Sequence, residues 1–400
     1  MPKNSAFSLV FSVAQSDQAV SPGFKTKEEL PMKQPMLRKL GVSSAISLLA
    51  VTAVHAEDPI DLTIVSWGGA YTESQVRAYH DPYTAVKDHI TIINDDGSAN
   101  ALAGLRAQSM AGNVTWDLVD MLPSDAQLAC DEGIIMPIDH DEMLAPAPDG
   151  TPASEDFLPG SLGECFIPQI LYSTVITYNT EMFPANNQPD SVEDFFNLED
   201  FPGRRALQDR PAGSLEWALL ADGVATEDIY DVLATEEGVD RAFAKLDTIK
   251  DNLIFWTEGA QSPQLLADKE VAFSTGYNGR IFNAAQVEGQ PFDIIWDGQI
   301  VEWDGWVVPY GANQEEVLEY VYWATDTQRL ADQAKYISYG PARASSAPLV
   351  GEHADLGIDM NPHMPSNPAN YQSPIVLDND FWTDYGDELR ERFANWMLRG

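Results

Sequence analysis

Asp61-Leu-Thr-Ile-Val-Ser-Trp-Gly-Gly69 is the stretch on which the reading of this chain turns. It has the pattern of a buried strand that ends in Trp-Gly-Gly, which sets an aromatic face beside pliable backbone. A strand closed in that way is a common entrance to a small-ligand cleft.

What precedes it reads as an export leader. Met36-Leu-Arg-Lys-Leu carries two positive charges, Gly41 to Val54 is a short apolar run, and Val54-His-Ala56 offers small residues where a signal peptidase cuts. The mature protein is expected to begin near Glu57, with 1–35 an upstream extension and Met36 resembling a start. No later stretch approaches the ~18 to 20 apolar residues of a membrane helix.

Without residues 1–56, which hold six basic and three acidic side chains, 17 basic residues face 59 acidic ones, a formal charge of −42 over 344 residues. Such a chain excludes nucleic acid as a partner, because phosphate binding rests on basic contacts. The acidity reads as a solvated surface suited to a salty medium, and its field also attracts cationic solutes. The length fits two domains. Cys130 and Cys165 are the only cysteines, and export makes a disulfide between them the expectation. Their spacing suits neither a redox motif nor a matched Cys–His pair.

Strand and helix patterns alternate after the leader. Strands are expected at Leu62 to Ser66, His89 to Asn94 and Leu118 to Met121, with helices at Thr72 to Tyr83, Ala99 to Met110 and Ser124 to Cys130. A Pro-rich excursion, Met143 to Pro159, leads to a long strand, Ile167 to Tyr178. A second region has strands near Ala206 to Gln208, Val271 to Thr275, Phe292 to Trp296 and Trp306 to Pro309. Its helices are expected at Leu215 to Leu220, Glu227 to Leu233, Gly238 to Ile249, Ser262 to Ala267, Gln314 to Thr325, Thr327 to Ile337 and Asn379 to Leu398. The order implies α/β layers on a mainly parallel sheet.

Several strings, taken in order, resemble the periplasmic solute-binding proteins of ABC importers, most closely the spermidine/putrescine-binding group. They are Leu62-Thr-Ile-Val-Ser-Trp67, Trp116-Asp-Leu-Val119, Asp131-Glu-Gly133 with Ile138-Asp139, Tyr178-Asn179, Phe201-Pro-Gly203, Val271-Ala-Phe-Ser-Thr-Gly-Tyr-Asn-Gly279, Asp304-Gly-Trp-Val-Val-Pro309 and Tyr339-Gly-Pro341. The resemblance covers about 61 to 345. It implies a two-lobe α/β fold with the ligand in the cleft between the lobes, and an ABC permease in the inner membrane as partner. It also implies that crossings fall near Leu171 to Thr174, Trp303 to Asp304 and Ala342 to Ser345. Lobe 1 would be 57–172 plus 304–343, and lobe 2 would be 173–303 plus 344–400.

The resemblance also implies ligand-facing positions. Trp67, Tyr277 and Tyr339 supply rings, and Asp304, within Glu302-Trp-Asp-Gly-Trp306, stands where polyamine binders carry a carboxylate for an amine. Tyr71, Asp125, Trp303 and Trp306 complete the candidate set. Rings around a carboxylate describe a cation site, each ring contributing roughly 0.5 to 2 kcal/mol. The departure is at Arg210, where polyamine binders tend to offer an acid; Asp209 precedes it. An Arg opposes a second amine and favours a carboxylate, which its planar fork meets with two hydrogen bonds.

The sequence therefore points to a small onium zwitterion, dimethylsulfoniopropionate or a betaine-like osmolyte. The alternative is a putrescine or spermidine receptor using Asp304 and Asp209. A third reading, an exported hydrolase, lacks a nucleophile with an oriented base. The histidines show no metal spacing, and no P-loop, G-x-S-x-G or dinucleotide fingerprint is present. The expectation is a monomeric, non-enzymatic periplasmic receptor for a small cationic or zwitterionic solute, with no cofactor.

Overall fold

The computed structural model describes residues 58–311 and 313–399. The expected leader and upstream extension lie outside the described residues. Eight strands form the path of one sheet: β1 (Ile60–Val65), β2 (Ile90–Asp95), β3 (Leu118–Met121), β4 (Ile167–Asn179), β5 (Arg205–Gln208), β6 (Leu253–Trp256), β7 (Phe273–Tyr277) and β8 (Phe292–Val307). Their order is β2-β1-β3-β8-β4-β7-β5-β6. Two short strands, β9 (Gly340–Pro341) and β10 (Ile375–Val376), join β4 and β8 respectively.

The sheet is mixed rather than mainly parallel. β1 pairs parallel with β2 and β3, and β5 pairs parallel with β6 and β7, as strand-helix alternation in each half requires. At the centre, β3–β8, β8–β4 and β4–β7 are all antiparallel, because the long strands β4 and β8 run in opposite directions to each other and to their outer neighbours. Every residue of β4 is buried, consistent with an interior strand covered on both faces.

The two strands expected at Phe292 to Trp296 and Trp306 to Pro309 are parts of β8. Asp297 and Gly298 interrupt the apolar pattern, and here the register with β4 jumps from Thr174↔Ile300 to Ile176↔Ile295. The irregularity is held in place. The Trp217 indole donates to the Gly298 carbonyl at 2.7 Å, and a Cβ on Gly298 would lie 2.6 Å from both Leu220 and Val192. Leu171, in one segment nominated as a crossing, pairs with Trp303 in a second; on its other edge it pairs with Gly340, which with Pro341 precedes the third, Ala342 to Ser345.

Large cores flank this centre. One gathers Leu62, Ile64, Tyr79, Leu118, Trp306 and Tyr320; another gathers Phe195, Leu207, Trp217, Phe273 and, from the last helix Asn379–Leu398, Trp382, Phe393 and Trp396. Cys130 and Cys165 form a disulfide, Cα atoms 5.8 Å apart. No helix among the described residues is long and apolar enough to cross a membrane.

Candidate ligand-binding site

β1 ends at Val65, and the chain turns through Gly68 (φ 71°) and Gly69 (φ 59°) into the helix Gly69–Gln75. Both glycines occupy the left-handed region, which a side chain would strain. The turn leaves Trp67 at the mouth of a cavity of about 240 Å³ between the two halves of the sheet. Seven of the nine nominated ligand residues line it: Trp67, Tyr71, Asp125, Arg210, Tyr277, Asp304 and Tyr339.

Trp303 and Trp306 do not. Residues alternate along β8, so Trp303 points to the opposite face from Asp304 and packs against core side chains. Trp306 shares the face of Asp304 but lies deeper, fully buried with its ring 5.6 Å from Tyr79 and 6.0 Å from Tyr320. Both are core residues. Asp209, the carboxylate weighed for a polyamine, is exposed and outside the lining.

Asp304 forms the floor. It is buried, and the Trp67 indole N–H donates to both its oxygens, at 3.0 and 3.1 Å. Burial pushes its carboxyl well above the usual range, while the Tyr71 hydroxyl and the Trp67 N–H pull the other way. Behind it is a second buried acid that the sequence reading passed over. Asp120 accepts from Gln75 Nε2 at 2.8 and 3.0 Å, and the same nitrogen reaches Gln169 Oε1, which also accepts from the Tyr71 hydroxyl at 2.5 Å. Burial, then the charge of Asp304, raises Asp120 strongly.

Rings form the walls. Tyr71 and Tyr339 lie 5.7 Å apart, Tyr339 and Tyr172 6.1 Å, and Tyr172 and Tyr277 5.7 Å. Tyr277 is fixed by Gln208, whose amide nitrogen donates to its hydroxyl at 3.2 Å.

Two guanidinium groups face this acidic, aromatic end. Arg210 pairs with buried Glu302 at 3.4 Å. Burial works against its charge, but Glu302 foremost, with Tyr277 and Tyr172, holds it protonated above its ordinary range. Arg280, not nominated from sequence, donates from one terminal nitrogen to the Trp67 and Gly68 carbonyls at 2.9 and 3.1 Å. It stands one residue beyond the string that ends at Gly279, and the Tyr-Asn-Gly-Arg run was the available signal. Tyr172, Gln208 and Glu258 also line the cavity without having been nominated. The described residues contain no cluster of His, Cys, Asp and Glu suited to a metal. The arrangement can hold a small molecule with one cationic and one anionic end.

The model of the family described as bacterial extracellular solute-binding protein matches residues 78–366. The chain belongs to this family. A γ-aminobutyric acid-binding protein of Pseudomonas aeruginosa is 36% identical over 361 residues, covering 90% of this chain and 97% of that protein. Among solved structures, MotA of Agrobacterium tumefaciens B6 in complex with glucopine is 28% identical with a TM-score of 0.73, covering 85% of this chain and all of the other. The Atu4243-GABA receptor is 30% identical with a TM-score of 0.70, covering 85% and 98%. The solute-binding protein therefore has the two-lobe fold with an interlobe cleft. It serves an ABC importer, with a small-molecule ligand and a permease as partners, and it is not an enzyme.

Proposed function

We propose that the protein captures a compact zwitterion in the periplasm and delivers it to its permease, the ligand's positive end resting on Asp304 among the rings and its carboxylate meeting the cavity arginines. One observation carries the reading. A buried carboxylate under Trp67, walled by Tyr71, Tyr172, Tyr277 and Tyr339, faces two guanidinium groups across one cavity. An ω-amino acid of the γ-aminobutyrate kind is the first candidate, and the relative from P. aeruginosa supports it. The ring wall favours a second candidate class, methylated onium zwitterions such as betaine or dimethylsulfoniopropionate, whose cations lack N–H donors and bind through ring faces. A diamine would set its second amine against Arg210 and Arg280.

We further propose that the lobes close over the ligand. We assign 57–172 plus 304–343 to one lobe and 173–303 plus 344–400 to the other, with the ligand biasing a hinge about the paired crossings. The last helix, packed among Phe243 and Phe255, supports its place in lobe 2.

Calorimetric titration of ligand-stripped protein with γ-aminobutyrate, glycine betaine, dimethylsulfoniopropionate, putrescine and spermidine tests the reading. At least one zwitterion is expected to bind about tenfold or more tighter than either polyamine, a gap of ~1.4 kcal/mol. Tight polyamine binding with no zwitterion binding overturns it.

A further inference from the structure

The two buried acids, Asp304 and Asp120, are made neighbours by strand pairing. Asp120 in β3 stands opposite Trp306 of β8. Asp304, two residues back along β8, shares that face, so the carboxylates are diagonal partners on one face of the sheet, a placement that sets Cα atoms roughly 7 to 8 Å apart. The helix Gly69–Gln75 presents Tyr71 and Gln75 one turn apart, Tyr71 to Asp304 and Gln75 to Asp120. β4 supplies the link. It has one residue more than β8 between the pairs Pro168↔Gly305 and Ile170↔Asp304, and that extra residue is Gln169, whose side chain reaches both Tyr71 and Gln75. A chain of polar groups therefore runs from Asp304 through Tyr71, Gln169 and Gln75 to Asp120.

Among the described residues, no Lys, Arg or His is hydrogen-bonded to any member of this chain. The titratable groups around it are Tyr71, Tyr79, Tyr172, Tyr320 and Tyr339, all pushed up by burial and so neutral, and Glu302, which is paired with Arg210. Two ionised carboxylates here would repel each other without a compensating cation. The chain suits one charge, at either end. As it stands, the Tyr71 hydroxyl donates to Gln169 Oε1 and Gln75 Nε2 donates to Asp120, which fits a charge on Asp120 and a proton on Asp304. Gln75 Oε1 and Gln169 Nε2 are buried with no hydrogen-bond partner. Half-turns of the two amides exchange donor for acceptor at each. The Gln75 oxygen then accepts from a protonated Asp120 and from Gln169, and the Tyr71 hydroxyl is free to donate to Asp304, which fits a charge on Asp304.

We propose that Asp120 and Asp304 hold one proton between them, and that a cationic ligand draws their shared negative charge onto Asp304 and leaves the proton on Asp120. One O–H bond breaks at Asp304 and one forms at Asp120. The pair carries one proton and one negative charge before and after, so none is exchanged with solvent. Asp120 does not line the cavity and acts as a positioning residue for the charge that the ligand meets. The ligand step rests on the zwitterion reading, whereas the shared proton is measurable without ligand.

Infrared difference spectra at pH 7.5 count the protons, with melting temperature confirming that each variant is folded. Ligand-free wild type minus the double variant Asp120→Asn/Asp304→Asn is expected to show one neutral carboxyl and one ionised carboxylate; Glu216 is common to both and cancels. Two of either kind overturn the shared proton. With γ-aminobutyrate or glycine betaine bound, wild type minus Asp120→Asn should show a neutral carboxyl alone, and an ionised one there overturns the placement of the proton. Calorimetry of wild type in phosphate and in Tris should give fewer than about 0.3 protons exchanged per ligand, and release approaching one overturns the proposal without any variant. Asp120→Asn should bind at least as tightly as wild type, since nothing then competes with Asp304 for the charge; weaker binding means that Asp120 is charged in the complex and overturns it. If neither ligand binds wild type, the zwitterion reading falls and the ligand step with it, while the infrared count still decides the shared proton.

Discussion

Replacing Trp67 by Phe keeps a ring at the cavity mouth and deletes a single N–H. That N–H is shared between both oxygens of Asp304 at 3.0 and 3.1 Å. A hydrogen bond to a charged group is worth ~1.5 to 3 kcal/mol, so a cationic ligand that needs Asp304 ionised should bind roughly ten- to hundredfold more weakly. Phe retains part of the ~0.5 to 2 kcal/mol of ring attraction, which limits the loss. The pH dependence has a definite sign. Burial has already raised the Asp304 carboxyl and the indole opposes that rise, so the variant's carboxyl climbs further. Its ionised fraction is then smallest at low pH, and the deficit against wild type should be larger at pH 6 than at pH 8.5. Titration of both proteins with the same ligand at the two pH values reads this directly. An equal deficit at both, or none at either, would refute the role given to the Trp67–Asp304 bond.

Other expectations concern stability and the division between core and site. Trp306→Ala should cost ~3 to 5 kcal/mol of stability in denaturant unfolding, with ligand affinity of the folded protein nearly unchanged; a specific loss of affinity would return Trp306 to the site. Reduction of Cys130–Cys165, which lie 35 residues apart in sequence, should destabilise the fold by ~2 to 4 kcal/mol, read as a lowered melting temperature. Glu216 is buried, bonded to Gly213 N–H, Tyr230 and Trp382, and burial raises it to about 7. Because its folded value exceeds its unfolded value, the stability it contributes is complete below about pH 4.5 and is lost as pH rises through 7, on the order of 3 kcal/mol. Glu216→Gln should therefore gain on wild type at pH 8 and not at pH 4.5; equal melting differences at both would contradict it.

Much of this was legible in the chain. The strand before Trp67, the long β-branched and aromatic run of β4 and the amphipathic last helix show themselves through local pattern, which burial enforces residue by residue. Trp67, Asp304, Tyr277 and Tyr339 were nominated because they lie in strings resembling a known family, and all four line the one cavity. The sheet's mixed character was not legible, since strand direction at β4 and β8 depends on pairing between distant segments. Trp306 was misplaced because alternation gives the face but not the depth: it shares the face of Asp304 and is buried between Tyr79 and Tyr320. Arg280 and Asp120 were missed for the opposite reason. The Tyr-Asn-Gly-Arg run placed Arg280 next to a ligand-facing string, but its contact with the Trp67 carbonyl spans 213 residues and, like the burial of Asp120 near Asp304, depends on tertiary pairing.

The most direct measurement is a crystal structure of the protein with the zwitterion that binds tightest in calorimetry. The ligand's cationic centre is predicted to lie against Asp304 and inside the ring wall of Trp67, Tyr71, Tyr277 and Tyr339, with its carboxylate toward the guanidinium groups. A ligand bound in reverse, or held outside this cavity, would contradict the account.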